Sequence, residues 1–272
     1  MVSENTISKE RLDYLRCRTR SRRRVITAQL LLFVGFFLLW ELAARRKWID
    51  PFIMSSPTRV WETLQNLTIS GELWRHLGAS CAETVAGFTL GTAVGTAVAV
   101  LLWWSPTLAK IFDPYLVVLN SLPKTALGPV FIVWIGAGPS SIIAMSLAIS
   151  LIVTILEVHN GFLSTDPGKL RLMRTLGASK GQILRKLVLP ANFTTLMNAL
   201  KVNVGLSWVG VIMGEFLVSR MGLGYLIVYG SQVFKMDLVM ATVLLLAFAA
   251  AVMYRGILVL EKALKKYLGV SA

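Results

Sequence analysis

RLMRTLGASKGQILRKLVLP, residues 171–190, is a basic amphipathic stretch in a chain that is otherwise mostly apolar. It lies between two long hydrophobic runs, so it belongs outside the bilayer those runs imply. Just before it, Asp166 and Pro167 suit a helix start, the Asp as a cap and the Pro at the first helical position. Leu170, Met173 and Leu176 then recur at helical spacing, with Arg171 and Arg174 on other faces. Gly177 suits the stop. Ser179-Lys180-Gly181-Gln182 reads as a capping box that opens a second helix. On that helix Ile183, Leu184, Leu187 and Val188 form an apolar stripe, and Arg185 and Lys186 a wet face. Pro190 closes the helix or kinks it into the next hydrophobic run. The stretch predicts two short helices around a glycine corner, a handle that another protein can push.

The surrounding chain fixes which side of a membrane the handle occupies. Of 272 residues, 55% are hydrophobic and only 15% charged. Windows of roughly 20 apolar residues span a bilayer, and six occur, at about 25–44, 82–104, 115–135, 141–158, 196–218 and 238–260. The expected fold is therefore all-α, a polytopic membrane protein with six transmembrane helices. A basic tail over 1–24 precedes a transmembrane domain over 25–265, which contains the cytoplasmic segment 160–193, and a short tail over 266–272 follows. Six spans put both termini on one side. That side and the 160–193 segment together carry 18 of the 28 Lys and Arg residues. The opposite side carries seven, while Lys124, Lys201 and Arg255 fall within spans. The excess places both termini and the handle in the cytoplasm. The net charge of +14 is thus a topology signal and not a sign of nucleic-acid binding. A DNA-reading helix-turn-helix needs a free domain to approach a duplex, and here both ends run into spans.

Other classes leave little trace. Cys17 and Cys81 fall in the tail and at a membrane edge, so they imply neither a disulfide nor a metal framework. No phosphate loop, zinc-protease or nucleophile-elbow pattern occurs, so no catalytic residue, metal or cofactor is expected on this chain. The first apolar run is longer than a usual signal-peptide core and reads as an uncleaved span.

Polar groups inside a span face protein or a water-filled cavity. The third run carries Asn120, Ser121, Pro123, Lys124, Gly128 and Pro129 and is expected to be a broken helix, a backbone tolerated where it lines a cavity. Asn120, Ser121 and Lys124 are therefore candidates for a translocation pathway, as are Asn203, Ser207 and Glu215 in the fifth run. Lys201 lies near the inner end of that run and can equally reach lipid headgroups. Glu41, Glu83 and Glu157 lie near span edges, where solvation is the default. Gly87, Gly91, Gly95 and Ala99 repeat every fourth position in the second run, a small-residue face for close helix packing.

Gly177, Leu187, Leu189 and Pro190 fall at the spacing of the "EAA" motif of permease subunits in bacterial ABC importers. There Glu-Ala-Ala is followed four residues on by Gly and, after nine more, by Ile-x-Leu-Pro. The likeness covers about residues 50–265 and looks most like the nitrate/sulfonate/taurine branch. It includes Ser56-Pro57-Thr58-Arg59-Val60-Trp61, His76-Leu77-Gly78-Ala79-Ser80, Ala86-Gly87-Phe88, Asp113-Pro114, Leu122-Pro123 and Ala126-Leu127-Gly128-Pro129. It continues with Trp134-Ile135-Gly136-Ala137-Gly138, Arg174-Thr175-Leu176-Gly177-Ala178-Ser179 and Gly222-Leu223-Gly224-Tyr225-Leu226-Ile227. One departure stands out: the Glu-Ala-Ala positions are Arg171-Leu172-Met173 here, so the acidic residue has become basic.

The resemblance implies a MetI-like type I ABC importer permease fold in the bacterial cytoplasmic membrane. It further implies a pair of permease subunits (a homodimer expected), two cytoplasmic ATPase subunits that use ATP and Mg, an extracytoplasmic solute-binding protein, and surrounding lipid. Arg171, Arg174, Leu176, Gly177, Ala178, Ser179, Leu187, Leu189 and Pro190 become the expected ATPase-coupling residues. The implied cargo is a small solute such as a sulfonate, nitrate, taurine or similar organic anion. The alternative is a vitamin precursor, a pyrimidine or a precursor of thiamine or riboflavin. An ion-driven carrier is the more distant reading, since no internal repeat is detected.

Overall fold

The computed structural model describes residues 9–268, with side chains over 23–267. The expectations for residues 1–8 and 269–272, and for the side chain of Cys17, lie outside the described residues. All regular structure among the described residues is helical.

Helix α1 (Lys9–Arg45) carries the basic tail directly into the first apolar run. Two short elements follow, α2 (Pro51–Met54) and the amphipathic α3 (Pro57–Ile69). Then come α4 (Glu72–Trp104), α5 (Pro106–Ser121), a 3₁₀ turn (Lys124–Leu127), α6 (Gly128–Ile135) and α7 (Pro139–Leu163). Among the described residues five helices are long and apolar enough to cross a membrane; a sixth span exists if α5 and the segment ending in α6 count as one, bent by 89°. The bend falls where the sequence predicts a broken helix. Pro123 cannot donate to the helix, and it pushes Leu122 to an extended backbone (φ −64°, ψ 134°). The other boundaries differ mainly at α4, which begins ten residues before the apolar window and carries Glu72, Arg75 and His76 on its first turns. Its 33 residues reach about 50 Å, well beyond a hydrocarbon core of about 30 Å.

The centre of the molecule is α7, held between α4 and α11 (Phe193–Val218). Every fourth residue of α4 meets every fourth residue of α7: Gly87 lies against Ser146, Gly91 against Ser150 and Gly95 against Thr154. A Cβ at Gly95 would sit 2.7 Å from the Cβ of Thr154. From the other side Gly210 and Gly214 of α11 press on the α7 backbone, a Cβ at Gly214 falling 2.9 Å from the Cα of Ile142. The small-residue face is thus a packing surface, as the spacing predicts, and α7 lies between two of them. Two of the α7 hydroxyls fold back on their own helix, Ser150 Oγ donating to the Ser146 carbonyl at 2.9 Å and Thr154 Oγ1 to that of Ser150 at 2.8 Å.

At one end of this core lies α12 (Leu223–Gln232), followed by α13 (Met236–Leu268). Ser56 caps α3 through the Arg59 amide, with Pro57 at its first turn. The Arg59 guanidinium donates to Asp237 at 2.6 Å and to the Pro51 carbonyl at 3.0 Å, and Ser55 Oγ donates to Asp237 at 2.6 Å. The Ser-Pro-Thr-Arg stretch therefore clamps α2 and α3 to the start of α13. Glu41, expected to be simply wet, pairs with Arg45 at 2.7 Å and accepts from the Thr58 amide at 3.1 Å, joining α1 to α3.

Candidate functional site

The handle forms at the opposite end of the core. Asp166 caps α8 (Pro167–Thr175) by accepting from the Gly168 amide at 2.7 Å. Gly177 ends it in the left-handed region (φ 75°). The Ala178 amide reaches back to the Met173 carbonyl at 3.0 Å and the Gly177 amide to that of Arg174 at 2.9 Å, the paired bonds of a Schellman stop. The capping box is formed: Ser179 Oγ accepts from the Gln182 amide at 3.4 Å and Gln182 Oε1 from the Ser179 amide at 2.8 Å. The second helix starts as α9 (Lys180–Ile183), widens into a π turn (Leu184–Val188) and closes as α10 (Leu189–Ala191). In the π turn the Leu189 amide bonds to the Leu184 carbonyl, five residues back. A mid-helix proline lacks its N–H and crowds the carbonyl four residues earlier; the widened turn accommodates Pro190.

The corner is bedded on the spans. Ile183 and Val188 are buried with Ala99 of α4, Val158 and Phe162 of α7 and Ala199 of α11, and Leu170, Met173, Ala178, Leu187 and Leu189 pack onto this cluster. Asn192, buried, donates to Thr165 Oγ1 at 2.8 Å and to the Val188 carbonyl at 2.9 Å, tying the start of α8 to the start of α11. Lys180 Nζ caps the end of α4 by donating to the Trp104 carbonyl at 3.3 Å.

This bedding divides the nine expected coupling residues. Arg171, Arg174, Leu176, Gly177, Ser179 and Pro190 are exposed; Ala178, Leu187 and Leu189 are half-buried against the cluster and hold the corner in place. The expected stripe of Leu170, Met173 and Leu176 is corrected. Leu170 and Met173 turn inward, whereas Leu176, 73% exposed, stands out with Leu172, 60% exposed. Leu172 is the residue the sequence reading missed, and its spacing of four from Leu176 was the available signal.

The pathway candidates separate as well. Asn120 and Ser121 are exposed at the α5–α6 bend and Lys124 is half-buried beside them. Lys124 Nζ donates to the Asn120 carbonyl at 2.9 Å and Ser121 Oγ to that of Val118 at 2.9 Å, so both groups finish the end of α5 while remaining on an open surface. The structure does not bring Asn203, Ser207 or Glu215 to that surface. Asn203 is buried between helices, donating to Thr92 Oγ1 at 3.1 Å and Thr154 Oγ1 at 2.5 Å. Ser207 is buried beside α7, its carbonyl accepting from Ser146 Oγ at 3.2 Å. Glu215, fully buried, caps α12: its carboxylate accepts from the Gly224 amide and from Ser80 Oγ, each at 2.5 Å. Ser80 Oγ in turn accepts from the Leu223 amide at 2.7 Å. A cap explains a carboxylate here, since helix N-termini leave amides unpaired and favour negative charge. Glu83, expected to be solvated, is buried, and its Oε2 has no partner among the described residues. Lys201, which the sequence leaves open between pathway and headgroup, pairs with Glu261 at 2.8 Å, and Glu261 also holds Lys265 at 3.0 Å.

A helical membrane core with an 89° bend between α5 and α6 and a capped corner bedded on the ends of three helices is the architecture of the MetI-like permease class. The permease of an inward-facing MetNI methionine ABC transporter superposes with a TM-score of 0.54 at 23% identity, covering 70% of this chain and 95% of that one. The family described as "Binding-protein-dependent transport system inner membrane component" matches residues 87–266, and the chain belongs to it. A probable ABC transporter permease protein of Haemophilus influenzae is 30% identical over 84% of this chain and 92% of that protein. The taurine transport system permease protein TauC of Escherichia coli is 26% identical over 94% and 97%. The chain is thus a permease subunit of an ABC importer, a transport component and not the ATP-hydrolysing one.

Proposed function

We propose that two copies of this chain form the membrane pathway of an importer for a small organic anion, with a sulfonate or taurine-like solute as the favoured cargo. Both termini and the corner over 166–190 face the cytoplasm, where each corner docks in a groove of an ATPase subunit that binds ATP and Mg. A binding protein delivers solute to the opposite face, and Asn120, Ser121 and Lys124 approach the route between the two copies. Closure of the ATPase pair moves both corners and rocks the permeases between inward-open and outward-open states.

The observation that carries this reading is the corner itself. It presents two exposed leucines and two arginines on a helix capped at both ends, and its other face is locked into the three central helices. Arg171 at its solvent face implies a groove with an acidic residue opposite. The test is ATP-dependent uptake into proteoliposomes holding this chain, its ATPase and its binding protein, with an alkanesulfonate and a formylaminopyrimidine offered in parallel. Uptake of the sulfonate alone supports the reading, uptake of the pyrimidine alone moves the cargo to the vitamin-precursor class, and equal uptake without this chain overturns the permease role.

A further inference from the structure

Within the spans, Lys201 is paired with Glu261. Positive charge gathers elsewhere. A cavity of about 790 Å³ opens between α3, the start of α4, α12 and the start of α13, and Arg75, Arg220 and Lys235 line it. Among the described residues none of the three forms an ion pair with a carboxylate; Arg75 Nε reaches only the sulfur of Met221, at 3.2 Å. Two carboxylates also border the space. Asp237 is spent, one oxygen taken by Ser55 and the other by Arg59. Glu72 offsets one cation, so the cavity retains a surplus of positive charge.

One wall is aromatic. His76 stacks on Tyr225 with centroids 5.8 Å apart and planes 8° apart, and Tyr225 stacks on Tyr229 at 5.9 Å and 17°. His76 Nδ1 accepts from the Gly222 amide at 3.0 Å, which leaves the proton of a neutral ring on Nε2 as a further donor. The wall is rigid because Ser80 and Glu215 fasten the first turn of α12 to α4 and α11. Unpaired cations beside a fixed apolar face, in a cavity within the usual 300–1,000 Å³ of small-molecule sites, suit a short carbon body with an anionic head. Arg75 and Trp104 lie 29 residues apart on α4, about 43 Å along the helix, so the cavity is on the membrane face opposite the corner.

We propose that this cavity is an outer holding site for a small organic anion, a sulfonate or carboxylate, separate from the bend that carries Asn120 and Lys124. The inference rests on the reading that the chain imports such an anion. In it Arg75, Arg220 and Lys235 hold the head group, and Tyr225 and Tyr229 cover the carbon body.

Titration calorimetry on the full chain in lipid nanodiscs tests it with butane-1-sulfonate, and with butan-1-ol and butylammonium as controls. The sulfonate binds saturably and more weakly as salt rises, and the two controls do not bind. Arg75→Gln and Lys235→Gln each weaken sulfonate binding roughly tenfold, the loss of one hydrogen bond to a charged group, and Arg75→Lys recovers part of the loss. Gel filtration and thermal melting confirm that the variants fold. Absence of saturable sulfonate binding, equal binding of butan-1-ol, or binding unchanged in the Arg75→Gln/Lys235→Gln pair overturns the site. Binding as expected with no ATP-dependent uptake sinks the import reading and leaves the site standing; uptake without binding here does the reverse.

Discussion

Replacing Leu172 and Leu176 together by alanine separates docking from folding. Both side chains are mostly exposed (60% and 73%) and belong to none of the packed clusters. Their removal should therefore leave the permease's own stability within about 0.5 kcal/mol, as for surface changes generally. Covering a leucine that was exposed stabilises a complex by about 1.5–3 kcal/mol. Scaled by the exposed fractions, each side chain contributes about 1–2 kcal/mol to docking and the pair about 2–4 kcal/mol, a loss of about 30- to 1,000-fold in ATPase affinity. The assay is biolayer interferometry of the ATPase subunit on nanodisc-held permease, with a thermal melt of each variant in detergent. Leu187→Ala is the control: its side chain packs on the Ala99–Val158–Phe162 cluster, so it lowers the melting temperature. An unchanged affinity in the double variant, or a melting temperature that falls as far as that of Leu187→Ala, refutes the assignment of this face to the partner.

Gly214→Ala drives a Cβ to 2.9 Å from the Ile142 backbone and should destabilise by about 1–3 kcal/mol, read as a lower melting temperature. Glu215→Ala leaves the Gly224 amide and Ser80 hydroxyl without their acceptor; a cost of about 1–3 kcal/mol for each unsatisfied buried group predicts faster hydrogen exchange in α12, and unchanged exchange would contradict the capping role. Gly177→Val forces a β-branched residue to φ 75° at about 1–2 kcal/mol or more, so the corner frays and ATP-dependent uptake falls while the spans still assemble. Lys201→Ala breaks a partly exposed pair and should change stability by under about 1 kcal/mol, whereas a pathway lysine would show instead in uptake.

The sequence made the corner legible to the level of single caps because capping is local. Asp166, Gly177, Ser179 and Gln182 announce their hydrogen bonds from a few residues away. The glycine face of α4 was legible for the same reason, as a spacing of four on one helix. The Glu215 cap was not, since its partners Ser80 and Gly224 lie on two other helices and only tertiary packing brings them together. A carboxylate within an apolar run suggests a pathway when read alone and a helix cap once α12 is seen to begin on it. Asn203 and Ser207 were misplaced similarly: a polar residue in a span must face protein or water, and the sequence does not say which. The inward turn of Leu170 and Met173 against the outward turn of Leu176 was beyond a simple periodicity count, because the segment touches the core along only part of its circumference.

The packing also indicates which parts of the subunit move together. Glycine faces on α4 and α11 press α7 from both sides, close enough that a single added methyl collides, and packed cores shift as units and do not deform continuously. The corner is bedded on all three of these helices through Ala99, Val158, Phe162 and Ala199; Asn192 ties its two ends together and Lys180 pins its middle to α4. A push on Leu172 and Leu176 is therefore expected to move α4, α7 and α11 as one body and to carry the α12 wall, fastened by Ser80 and Glu215, with them. The α5–α6 segment is different. Only Leu116 of α5 is buried, and Tyr115, Val117, Val118 and Leu119 stand exposed around an 89° bend. That segment packs on the central body through Leu116 and Gly128 while the rest of α5 stays open, and the prediction is that it shifts against that body at a boundary beside Asn120, Ser121 and Lys124. Cross-linking cysteines placed between α5 and α7 should then block uptake, whereas cross-links between α4 and α7 should leave it intact; the opposite pattern would show that the three central helices do not travel as a unit.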